Sequence, residues 1–231
     1  MTLSAWLDRT GVRLHRSATR LITGLIVMVA LFPATVSAQP QLADEIGRLE
    51  SGWAVANFQV KGQAAQVAAL DPLIARAAAL SQRYPARAEP LVWSGVLQTS
   101  KAGVVGGLAG FGLVKAARQV LEQAERIDPK ACHGLGLSQL GTLFYQVPGF
   151  PIAFGNRVKA RAYLERALAI APDGLAANLA YGDFLVSGGN PAKAEGVLRR
   201  ALAAPRDPRQ LVADAGRRGE VEVLLAKVQR R

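Results

Sequence analysis

The 231-residue sequence predicts an all-α fold: an α-solenoid of stacked helical hairpins, about three to four repeats plus C-terminal capping helices. Three observations carry that prediction. A small–large–small pattern closed by proline recurs along the chain, with 34 residues from Ala160 to Ala194. Hydrophobic residues make up 50 % but aromatics only 6 %, with alanine abundant, which suits close helix packing better than a β-sandwich. Charged residues at 19 % leave enough apolar side chains for a core, so the chain is not of the disordered class.

Residues 1–38 read as an export signal. Arg9, Arg13, Arg16 and Arg20 against Asp8 form a basic start, Leu21 to Phe32 is apolar, and Val36-Ser37-Ala38 supplies the small residues for cleavage after Ala38. The apolar stretch is shorter than the roughly 20 residues of a spanning helix, although an uncleaved anchor stays open. No cysteine flanks the cleavage site, and the uncharged stretch 102–114 is too short to span. The expected location is periplasmic or secreted. Removing 1–38 takes four of 28 basic and one of 17 acidic residues from the formal +11 and leaves +8. Residues 199–231 hold nine Lys/Arg and four Asp/Glu. Such a patch suits an acidic protein or anionic lipid. Export argues against nucleic acid, and a solvated helix face is the simplest account.

The repeat begins faintly. Residues 41–87 form a degenerate first hairpin ending at Tyr84-Pro85, with Ala77 in place but Leu73 and Leu80 where small residues stand elsewhere. The second, 88–130, carries Ala117, Leu121, Ala124 and Pro129. The third, 131–173, carries Ala160, Leu164, Ala167 and Pro172, with an inserted loop over 146–156. The fourth, 174–207, carries Ala194, Leu198 and Ala201, and Pro205 arrives one residue early. Offsets of 0, 4 and 7 lie on one helical face, so alanines admit a neighbouring helix while leucine fills the groove between them. Proline then stops the helix. Gly182 precedes Ala194 by 12 residues on the partner helix, and Gly188-Gly189-Asn190 supplies the turn. A single hairpin cannot bury its apolar face, so hairpins stack. The last segment, 208–231, is expected to cover the final repeat with one or two helices. Val221, Leu224, Leu225 and Val228 would face inward, and Arg217, Arg218, Glu220 and Lys227 would form a polar outer cap.

Together with Leu140-Gly141-Phe144 and Tyr181-Gly182-Leu185, these positions resemble the tetratricopeptide repeat family in an exported bacterial form. The resemblance covers 117–205 well and 41–116 weakly. It implies a helix-turn-helix unit with a glycine in the first helix, and a scaffold for a protein or peptide partner. More loosely, 88–231 is similar to the periplasmic T-component of tripartite ATP-independent periplasmic transporters, on the strength of YQVPGFPIAFGN and ADAGRR. That likeness implies an oligomer that meets a solute-binding protein or a small apolar ligand.

Catalysis has no positive support in the sequence. Cys132 and His133 are adjacent, and neighbours on a helix point about 100° apart, which makes a poor dyad. A small buried cysteine beside a surface histidine early in a helix is the expectation, with disulfide-linked dimerisation as the alternative. One cysteine excludes a disulfide framework and a four-cysteine zinc site. Gly103, Gly106, Gly107, Gly110 and Gly112 lack the phosphate-loop order and a preceding strand. The segment 103–112 is expected as an apolar loop, or as a close helix contact or break. Asp128-Pro129, Pro172-Asp173 and Asp207 read as turn and cap residues. No cofactor or metal is expected.

Binding has a location. The first helices of stacked hairpins line a concave face, and their positions not needed for packing include Ser138, Thr142, Tyr145, Gln146, Asp183 and Ser187. Pro148 and Pro151 keep the inserted loop from being helical. Its Phe150, Ile152 and Phe154 are expected to find burial, with Tyr145 and Phe150 as aromatic anchors and the loop as one wall of the groove. The expected function is a non-enzymatic scaffold or adaptor in the cell envelope. Its partner is a protein or peptide, a homo-oligomer is left open, and neither nucleic acid nor a stable membrane span after cleavage is expected.

Overall fold

The computed structural model describes residues 38–230; apart from Ala38, the expected export signal lies outside the described residues. Contacts gather Ala43–Arg231 into one compact unit. The described residues form nine α-helices and no strand: α1 (Ala38–Ala54), α2 (Gln63–Arg83), α3 (Glu89–Val105), α4 (Gly107–Ile127), α5 (Ala131–Gln146), α6 (Arg157–Ile170), α7 (Leu175–Ser187), α8 (Pro191–Ala203) and α9 (Leu211–Gln229). A π-helical turn, Val55–Gln59, continues α1. The pairs α3/α4, α5/α6 and α7/α8 pack as hairpins, and α2 packs on α3. None of the described helices is long and apolar enough to cross a membrane.

The recurring pattern becomes a recurring contact. Each first helix offers a glycine, and the leucine of the second helix sits in it. A β-carbon at Gly95 would stand 2.4 Å from Leu121, at Gly141 2.5 Å from Leu164, and at Gly182 2.4 Å from Leu198. The flanking alanines, Ala117/Ala124, Ala160/Ala167 and Ala194/Ala201, are buried. The degenerate hairpin keeps the contact too, with Leu73 placed 2.8 Å from where a Gly52 β-carbon would be. Asn156 and Asn190 start α6 and α8, their side chains accepting from the amides of Lys159 (2.9 Å) and Lys193 (3.3 Å). Asp207 accepts from the Arg209 amide at 2.9 Å in the turn before α9; the cap position itself is Gln210.

Four expectations are corrected. First, of the two readings of the glycine-rich segment 103–112, the loop fails and the close helix contact with a break holds. The segment is the end of α3 and the start of α4, broken at Gly106 and Gly107, which have φ of 63° and 54°. Gly110 lets the two helices meet, since a β-carbon there would lie 2.7 Å from the Ala102 carbonyl oxygen.

Second, Cys132 and His133 head α5 but do not have right-handed helical backbone. With Gly134 they hold φ of 49°, 55° and 75°, a left-handed turn that disfavours side chains with a β-carbon.

Third, the inserted loop packs only one of its three large side chains inward, and that one is half-buried. It folds back on itself, Gly155 N–H donating to Pro148 and Asn156 N–H to Phe144. Phe154 packs edge-on against Phe144 at 5.5 Å, with the Arg118 guanidinium 4.7 Å above it. Phe154 fills the space over Phe144, so the tip stays outside: Phe150 is 93 % and Ile152 76 % exposed.

Fourth, the C-terminal segment is a single helix with two interfaces. Val221, Leu224, Leu225 and Val228 are buried as expected, where α9 packs on α7 and α8. Its polar residues do not form an outer cap. Arg218 is buried, bonded to Asp214 (2.7 Å) and to the carbonyls of Leu202 (2.6 Å) and Ala204 (2.7 Å) at the end of α8. The other face reaches the first hairpin. Phe58 packs against Gly216, where a β-carbon would lie 2.2 Å from the ring. Arg217 pairs with Glu50 at 3.1 Å and lies 4.7 Å over the Trp53 ring.

Candidate functional site

The inner face holds a groove of about 580 Å³, within the usual range of ligand sites. One wall is α5, whose Ser138, Gln139, Thr142, Tyr145 and Gln146 follow three- and four-residue steps and so share a face. From α7 come Ala176, Leu179, Ala180 and Asp183, while Trp53 and Val96 line it from α1 and α3. The opposite wall is α9, with Arg217, Glu220, Val223, Leu224 and Lys227.

Five of the seven expected positions therefore meet: Ser138, Thr142, Tyr145, Gln146 and Asp183. Phe150 and Ser187 do not line the groove. Phe150 is carried outward by its turn. Ser187 is the last residue of α7, and its hydroxyl turns back to donate to the Phe184 carbonyl at 2.9 Å. Nor does the loop make a wall, because α9 stands there instead. Sequence reasoning missed Trp53, Arg217, Glu220 and Lys227 as groove residues. The signal available was the spacing of 217, 220, 224 and 227, a mixed polar and apolar face unlike a solvated one.

Tyr145 and Asp183 organise the polar side. The Tyr145 hydroxyl donates to Asp183 Oδ2 at 2.5 Å, and Gln146 Nε2 donates to the Tyr145 oxygen at 3.3 Å. Burial, then the neighbouring Asp183 charge, pushes the phenol well above its ordinary range, so Tyr145 stays a neutral donor. Edge-on packing against Phe184 at 5.5 Å fixes its ring. Solvent reaches Glu220 through the groove mouth, yet protein crowds its carboxyl. That burial raises the carboxyl above the usual carboxylate range; Arg217 opposes the shift and Asp183 adds to it. Ser138 is 2 % exposed and its Oγ has no hydrogen-bond partner among the described residues.

Residues 152–215, from the inserted loop through α6, α7 and α8 into α9, match the tetratricopeptide repeat family model. That stretch carries a tetratricopeptide repeat. Its fold is also similar to the crystal structure of a thermophilic tetratricopeptide protein from Thermus thermophilus, with 18 % identity and a TM-score of 0.54 over 84 % of this chain and 95 % of that one. A comparison with curated proteins finds no match. The tetratricopeptide fold is typically that of an interaction scaffold, and in such arrays the first helices of the repeats line the concave surface. Here α1, α3, α5 and α7 each contribute residues to the groove.

The cysteine of this tetratricopeptide array is half-buried beside Leu135 and the Trp93 cluster. Burial pushes its thiol up to about 12, so at neutral pH it is not the thiolate a nucleophile requires. His133 is exposed. Among the described residues, no three histidine, cysteine or acidic side chains converge as a metal site.

Proposed function

We propose that the chain is an exported, non-enzymatic scaffold that holds a protein or peptide partner in the groove between the tetratricopeptide first helices and α9. The observation that carries this reading is the groove itself. It sits on the face that repeat arrays use for partners, and it joins an apolar wall (Leu135, Ala176, Leu179, Ala180) to a rigid, hydrogen-bonded polar one (Thr142, Tyr145, Gln146, Asp183). Tyr145 is the organising residue: an aromatic held by Phe184 and Asp183 that presents a fixed edge to a partner at small entropic cost. Export is supported by the basic, apolar and small-residue order of 1–38.

The test is site-specific photocrosslinking in the native host, with the crosslinker at Gln139 in the groove or at Lys193 on the outer helix α8. A discrete protein adduct from position 139, absent from position 193 and weakened by Tyr145→Ala without loss of helical circular dichroism, is the expected result. Adducts from position 193 alone would move the partner surface to the convex side and overturn the reading.

A further inference from the structure

Charge is distributed unevenly between this chain and its groove. The sequence carries a formal +11, yet in the groove two carboxylates, Asp183 and Glu220, balance Arg217 and Lys227. Arg217 is occupied, paired with Glu50 and laid over Trp53. Lys227 lies seven residues further along α9 than Glu220, about 10 Å at 1.5 Å per residue. Neither Glu220 nor Lys227 makes a hydrogen bond or ion pair among the described residues. Asp183 is near enough to Glu220 to help push its carboxyl up. Independently, Ser138 lines the same groove, and its buried Oγ has no hydrogen-bond partner among the described residues. Buried hydroxyls are ordinarily satisfied, so this one is an open place for a polar group.

Size limits the shape of what enters. A helix is 10–12 Å across, and two turns of it need on the order of 1,000 Å³, against about 580 Å³ in the groove. The side chains of an extended segment fit within that volume, whereas a helix would bring only one face to it.

We propose that the groove takes a lysine or arginine side chain from an extended partner segment, its charged head between Asp183 and Glu220 and a polar group of the same segment on Ser138. The alkyl stem of that side chain lies along the apolar wall, and Tyr145 holds Asp183 in place to receive the head. This rests on the groove being the partner surface. It adds the chemistry that the surface selects.

The probe is a set of fluorescein-labelled, acetylated and amidated nonapeptide pools. Each is degenerate except for a fixed central lysine, arginine, norleucine or glutamate, and each is titrated into the full chain by fluorescence anisotropy. The lysine and arginine pools are expected to bind at least about tenfold more tightly than norleucine, the scale of a charge-assisted hydrogen bond. Long-range attraction to a basic chain favours the glutamate pool, so a lysine preference would come from the groove and not from net charge. Glu220→Gln and Asp183→Asn, each checked for unchanged helical circular dichroism, should reduce the lysine pool toward the norleucine level. Equal binding of lysine and norleucine, tightest binding of glutamate, or a lysine preference that survives both variants overturns the cationic selection and leaves the groove as a peptide surface. Binding by none of the pools overturns both.

Discussion

Exchanging what fills the seat formed by Gly182 and Leu198 tests whether the glycine–leucine contact organises the hairpins. Leu198 is fully buried, so Leu198→Ala should cost about 2–5 kcal/mol through lost transfer energy and a residual cavity. Gly182→Ala places a methyl 2.4 Å from Leu198 Cδ2 and 2.8 Å from its Cγ. Overpacking of this kind costs about 1–3 kcal/mol, and alanine's better helix propensity returns about 1 kcal/mol. The single variant should therefore lose about 0–2 kcal/mol. With both substitutions the clashing atoms are gone, the propensity gain stays, and the new methyl occupies part of the cavity. The double variant should be more stable than Leu198→Ala by about 1–2 kcal/mol. The coupling energy is then about 1–4 kcal/mol, against roughly 0.3–0.5 kcal/mol for residues that do not touch. Urea melts of the four proteins by far-UV circular dichroism measure it. Additive losses, or a double variant less stable than Leu198→Ala, would refute the argument that the glycine exists to seat the leucine.

Three other outcomes are expected. Arg218→Ala leaves the buried Asp214 carboxylate with only the exposed Arg206 at 3.6 Å and strips two carbonyls at the end of α8 of their donor; a loss of about 3 kcal/mol in urea melts is expected, and Arg218→Lys should recover only part of it, since lysine lacks the planar fork. Cys132, with its thiol pushed up to about 12, should react with iodoacetamide at mildly alkaline pH at least about tenfold more slowly in the folded chain than in urea; equal rates would show the thiol to be open. Glu220 binds its proton more tightly when folded than its ordinary 4.5, so its contribution to stability is greatest below about pH 4.5 and is lost as pH rises through the higher folded value. Glu220→Gln should accordingly raise the melting temperature relative to the parent at pH 7, and the gap should close on acidification; a lower melting temperature at pH 7 would contradict the raised carboxyl.

The sequence makes the repeats visible because their contacts are local. Gly182 and Leu198 are 16 residues apart, and the small–large–small code describes one interface with one set of residue types. Five groove residues were legible for the same reason, since Ser138, Thr142, Tyr145, Gln146 and Asp183 occupy the helix faces left over once the hairpin contacts are assigned. The other half of the groove was not legible. Arg217 meets Glu50 across 167 residues, and no periodicity relates a terminal helix to a degenerate first hairpin. Its charged residues looked like a solvated cap because the code records which face is polar, not what stands opposite. Phe150 was misjudged differently. Hydrophobicity says that burial would be favourable, but the turn that carries Phe150 has only one seat, and Phe154 occupies it.

The return of α9 to the first hairpin also bears on how this array unfolds and grows. An open solenoid behaves as a one-dimensional chain whose end repeats fray independently and to which units can be added. Here the Phe58–Gly216 and Glu50–Arg217 contacts join the last helix to the first hairpin, so neither end can loosen without releasing the other. Closing contacts of such sequence separation slow folding, because the intervening chain must be ordered before they form. They also fix the count. Inserting one more 34-residue unit would rotate and displace α9 from its seat on Phe58, and the array would trade its closure for length. Most tetratricopeptide arrays can lengthen by duplication, but this one would lose half of its groove in doing so.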